Sequence, residues 1–209
     1  MRQREITFIP VAVDPNGIAE AQTLSGAGEL SLDGVLVVGG IFTGDYARRI
    51  GILSAGDDSG DTFTIEGTDA DNKAQTEDLS GSAGAPGTVE SVLFFKTVTS
   101  VSTDGASTGD VSVGTVDEFV SNTIPLNTYN SDPATVSLEC FSGTMSAKVQ
   151  ETFSRVQYSA IKFVDSPLGS TASDASANMS DHASGLRIVI DSYTSGAEVT
   201  MVINQNFCH

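Results

Sequence analysis

Short alternating runs recur from end to end of this 209-residue chain, broken roughly every 8–12 residues by Gly, Asp, Asn or Ser. No stretch of useful length carries apolar residues at helical spacing. This pattern constrains the fold more than any other feature. A strand alternates its side chains between two faces, and the turn residues between runs reverse the chain. The clearest case is Thr62–Thr68, with Phe63 and Ile65 on one face and Thr62, Thr64 and Glu66 on the other. The turn sequence Asp69–Lys73 follows, and Ala74–Leu79 returns, so the segment reads as a hairpin.

Other strands are expected at Glu5–Val13, Glu29–Val38, Arg48–Ser54, Glu90–Phe95, Lys96–Ser102 and Asp110–Val113. In Glu29–Val38, Leu30, Leu32 and Val35 are expected to face inward. Residues Thr115–Pro133 read as a polar crossing. Strands resume at Ala134–Phe141, Met145–Phe153, Tyr158–Val164, Leu186–Ser192 and Ala197–Gln205. Ser142-Gly143 and Tyr193–Gly196 look like tight hairpin turns. Gly169–Gly185 carries Ala, Ser and Asp with Met179 as its one large apolar side chain. It reads as a polar loop or arm, because Ser and Asp compete with helical hydrogen bonds. The expected fold is all-β, with two β-sandwich-like units of short strands and long polar loops. Residues 1–116 form the first and 117–209 the second, with the polar loop at 169–185. Met1–Thr7 and Gly169–Gly185 have little to bury locally and are expected to gain order against neighbouring molecules.

Composition narrows the function. The chain has 47 Ser and Thr, 21 Gly and no Trp. Its 27 acidic and 10 basic residues give a formal charge of −17. Phosphate backbones and anionic lipid repel such a chain, so neither nucleic acid nor membrane is an expected partner. The N-terminal MRQREITFIPVAV is too short an apolar run for a signal peptide and reads as a strand. Cys140 and Cys208 have no CxxC spacing and read as unpaired thiols, with a disulfide as the alternative; unpaired thiols fit folding in a reducing cytoplasm.

Catalytic patterns are weak. The histidines, His182 and His209, lie in the polar loop and at the last position, whereas a triad needs a rigidly held imidazole. Asp57, Asp58 and Asp61 in SAGDDSGD have no ligand spacing of a known kind. Asp69 and Asp71 begin like a calcium loop, but Lys73, Ala74 and Ser80 stand at positions that need a ligand, a glycine and a bidentate Glu. Both clusters read as turn chemistry, with a bound cation as the alternative. Glycosidase clefts favour Trp and Tyr, and here there are four Tyr. No phosphate-cradling glycine loop opens a helix. No catalytic residue, metal, cofactor or small-molecule substrate is assigned.

Two stretches carry a resemblance. In Arg48–Thr115 a TFTI-GTD strand is followed by an Asp turn, a Q-E returning strand, a Gly-rich loop, F-KTVTSV and a closing G-VSVG. This resembles a module common in uncharacterised virion proteins of tailed bacteriophages. Ser137–Phe153 (SLECFSGTMSAKVQETF) with Leu186–Gln205 (LRIVIDSYTSGAEVTMVINQ) resembles a second small phage structural module. After Thr152-Phe153 that module usually has an acidic turn and an aromatic-rich segment; Ser154-Arg155 stand here instead. The resemblance implies a non-enzymatic virion component, in head decoration or in a neck or tail ring, that meets copies of itself and other virion proteins. An alternative is a particle-borne binding module for a host glycan or receptor, using Tyr129, Tyr158 or Tyr193. Arg48, Arg49, Arg155 and Arg187 are the expected inter-subunit contacts, facing acidic turns of the next copy, because a guanidinium holds a carboxylate bidentately. Lys148 and Lys162 belong to the same basic set.

Overall fold

The computed structural model describes residues 2–127, 133–154 and 161–205. Arg155, Tyr129, Tyr158, Cys208, His209 and the side chain of Cys140 lie outside that description. The described residues contain strands and no helix, so the fold is all-β. In chain order the strands are β1 (Arg2–Phe8), β2 (Ala19–Gln22), β3 (Gly28–Glu29), β4 (Val37–Val38), β5 (Ile41–Ser54), β6 (Thr62–Thr68), β7 (Ala74–Ser80), β8 (Gly87–Glu90) and β9 (Phe95–Thr103). They continue with β10 (Val111–Val120), β11 (Ile124–Pro125), β12 (Thr135–Ser142), β13 (Met145–Thr152), β14 (Phe163–Asp165), β15 (Ala175–Asn178), β16 (Gly185–Tyr193) and β17 (Glu198–Gln205).

Two compact units form, Val13–Val116 and Met1–Ala12 with Asp117–His209. In the first, β5, β9, β6 and β7 lie side by side. The hairpin expected from TFTIEGT and its return is β6–β7, in register from Thr62↔Ser80 to Thr68↔Ala74. Phe63 and Ile65 are fully buried, as their alternation requires. β8 lies on β5, from Gly51↔Glu90 to Ser54↔Gly87, and β3 lies on β9. The core gathers Ile18, Phe42, Ile50, Ile52, Phe95, Val98, Val101 and Val113 around the Phe63–Ile65 face.

The expected single strand Glu29–Val38 is two short strands, β3 and β4. β4 turns back through Gly39-Gly40 onto the start of β5, pairing Val38 with Ile41. Leu30 is buried, but Val35 is 78% exposed rather than inward. The strand expected at Arg48 begins at Ile41, and β10 carries on to Val120 through the start of the expected crossing.

The second unit has two sheets. One runs β1-β17-β12-β15. The other runs β14-β13-β16, with the end of β10 and then β11 along the outer edge of β16. Buried residues alternate along β13 (Met145, Ala147, Val149), and Val136, Leu138, Val199 and Met201 form the buried face of the first sheet. Three expectations are corrected here. The turns after Ser142 and Tyr193 make no hairpins: β12 and β17 belong to one sheet, β13 and β16 to the other. Both are corners between sheets, tied by Thr194 N donating to the Thr144 carbonyl at 2.8 Å and Thr144 N to Thr194 Oγ1 at 3.2 Å. Arg2–Phe8 is already ordered along β17, from Arg2↔Gln205 to Phe8↔Val199, so residues 1–12 group with 117–209 rather than with 13–116. Within the polar segment 169–185, Ala175–Asn178 pairs with β12, and Thr171 bridges Ala147.

Candidate interaction surface

Among the described residues, Arg48, Arg49, Lys96, Lys148 and Arg187 are engaged within the chain. β5 leaves register with β9 between Thr43 and Arg48, and the extra residues fold back so that Asp45 faces Arg48. Arg48 is 1% exposed. Its Nε and Nη2 donate to Asp45 Oδ1 and Oδ2, both at 2.9 Å, a bidentate pair. A guanidinium this deep is not offered to a second molecule. Arg49 points to the other face, where Nε donates to the Ser91 carbonyl and Nη2 pairs with Glu90 at 3.3 Å. Lys96 Nζ donates to the carbonyls of Gly44 and Asp45, both at 2.8 Å. Burial holds its pKa below the usual lysine value, and the Asp45 charge opposes that shift.

Arg187, on β16, donates from Nε to Gln150 Oε1 at 2.8 Å and lies 3.8 Å over the Phe163 ring. Lys148 sits between Asp165 and Asp191 at 3.7 and 3.6 Å, while Lys162 is exposed. Arg48 and Arg49 thus fall in one unit and Arg187 in the other.

Asp69 and Asp57 show turn chemistry. Asp69 Oδ1 accepts from Asp71 N at 2.8 Å and Lys73 N at 2.9 Å, and Asn72 takes a left-handed φ of 61°. Asp57 Oδ1 accepts from Ser59 N at 3.1 Å, and hydrogen bonds from the Ser59 side chain and amide hold its carboxyl below the usual range. Among the described residues, no group of three or more His, Cys, Asp or Glu converges. His182 is exposed in a turn with φ 64°. Tyr193 is 8% exposed; its hydroxyl donates to the Val11 carbonyl at 2.7 Å, and its ring meets Phe119 edge-on at 5.8 Å.

The exposed apolar surface is where the sequence reading fell short. Val35 is 78% exposed, Val38 84% and Ile41 43%, around the β4–β5 turn. Gly39 and Gly40 both have positive φ, 63° and 79°, as a two-residue hairpin loop demands. Space beyond both is open. From Gly34 to Gly44 no residue is charged, in a chain at −17. The sequence signal was the Gly-Gly pair between apolar runs, which marks a hairpin rather than a continuous strand. A second exposed pair, Val92 and Leu93, is held by its amides on Glu77 at 2.6 and 2.9 Å. Exposed valines at a fixed turn are what a docking element needs: apolar area with little conformational entropy left to lose.

No family model matches the chain, and no curated protein matches it.

Proposed function

We propose that this chain is a non-enzymatic structural component of a tailed-phage virion, part of the head surface or of a ring in the neck or tail. The observation that carries the reading is where the two phage-like stretches fall. Arg48–Thr115 lies wholly within residues 13–116, and Ser137–Phe153 with Leu186–Gln205 lies wholly within 117–209. Each resembling stretch therefore contributes strands to one compact unit and none to the other, as a virion protein assembled from small β modules would.

The β4–β5 tip supplies a contact. An uncharged apolar hairpin lets a strongly acidic protein meet a neighbour without bringing carboxylates together. This replaces the arginines as the favoured docking element. The glycan-binding alternative loses Tyr193, whose ring and hydroxyl are both engaged inside its unit.

The test is Val35→Ser combined with Val38→Ser, supplied in trans during infection. Incorporation into purified particles is expected to fall to background while the unfolding midpoint stays at the wild-type value. Wild-type incorporation would remove the hairpin from the interface.

A further inference from the structure

Among the described residues, two buried side-chain oxygens have no hydrogen-bond partner: Ser54 Oγ and Asp58 Oδ2. Both residues are 1% exposed, and they lie four positions apart, at the end of β5 and in the turn that follows. The other atoms of Asp58 are fully used. Oδ1 accepts from Thr108 N at 2.6 Å, its amide donates to the Ser82 carbonyl at 2.9 Å, and its carbonyl accepts from Asp61 N at 3.0 Å. Ser54 pairs with Gly87, and a Cβ on Gly87 would fall 1.9 Å from Ser82 Oγ. A Cβ on Gly81 would fall 2.1 Å from the Asp58 carbonyl oxygen. The segments 54–61, 81–87 and 107–110 thus close around one carboxylate.

A buried charge with one oxygen unmet is costly, and unmatched buried polar atoms in native structures point to a bound water or ion. Three of the four basic residues of this unit are engaged elsewhere. Arg48 is with Asp45, Arg49 with Glu90, and Lys96 on the carbonyls of Gly44 and Asp45. Residues 13–116 hold sixteen acidic and four basic residues, a net −12. That field favours a positive ion over neutral water.

We propose that the 54–61 turn binds a hard cation of the calcium class, with Asp58 Oδ2 and Ser54 Oγ as its side-chain ligands. Backbone carbonyl and water oxygens complete the shell. An all-oxygen set with one carboxylate suits calcium and excludes the thiolate and imidazole metals. This differs from the Asp69 turn, where Oδ1 is already filled by two amides. The ion would fasten the end of β5 to the 81–87 loop. The proposal stands independently of the virion reading.

The test uses the full chain, stripped with a chelator, then titrated with calcium chloride and, at matched ionic strength, with choline chloride. Thermal unfolding and calorimetry are read together. Calcium is expected to raise the midpoint well beyond choline, with one site per chain. Asp58→Asn is expected to abolish that excess, while Asp71→Asn in the other turn keeps it. An equal rise with both salts, or an Asp58→Asn chain that keeps the calcium excess, would overturn the proposal. If Asp58→Asn does not fold, Ser54→Ala decides: weaker calcium binding supports the site, and unchanged binding overturns it.

Discussion

Arg48 and Arg49 are neighbours in sequence with opposite fates, because a strand sends successive side chains to opposite faces. Arg48 goes inward to a bidentate carboxylate, and Arg49 to a half-exposed pair with Glu90. Removing one member of a buried pair strands the other, whereas an exposed pair contributes little. Arg48→Ala is therefore expected to cost about 3–5 kcal/mol of unfolding free energy. Arg49→Ala is expected to cost about 1 kcal/mol or less. Urea denaturation of both variants checks the contrast, and equal losses would contradict it. The sequence made the pair visible as basic residues on a strand. It did not reveal which went inward, because Asp45 meets Arg48 only through the irregularity in β5 between Thr43 and Arg48.

Elements were legible where local code and pairing coincide. The β6–β7 hairpin carries its alternation, its turn and its return within one stretch, and it folds as read. The turns after Ser142 and Tyr193 carry the same kind of code and join different sheets. Turn residues encode the reversal of the backbone, not the sheet in which the next strand lands. β15 was hidden for a related reason: Ala, Ser and Asn have weak strand preference, and the pairing with β12 makes it a strand. Gly143 at the corner has φ 68°, and a Cβ there would meet Ala197 Cα at 3.0 Å. Gly169 has nearly the same φ, 67°, with open space beside it. Both alanine variants bear the left-handed cost of about 1–2 kcal/mol. Gly143→Ala is expected to lose more than Gly169→Ala, since the corner must also shift. Equal midpoints in chemical denaturation would mean the corner yields freely.

At the scale of the whole molecule, the first strand completes the last sheet. Nothing local to Arg2–Phe8 announces a partner near Gln205, so the pairing left no trace in a reading that moves along the chain. Deleting residues 1–12 uncovers one edge of β17. Amide exchange is expected to quicken across β17 and β12 and to stay at wild-type rates in β6, β7 and β9 of the other unit. Uniform loss of protection would show that the two units do not unfold separately. The charge balance and the uncharged β4–β5 tip belong to this scale too, since they set what kind of neighbour the protein can meet. The most direct measurement is a cryo-EM map of purified particles from infected cells. Repeated copies of this chain are expected outside the genome, each with Val35 and Val38 seated against a neighbouring protein. Particles that lack the chain, or that carry it with the hairpin standing in solvent, would contradict it.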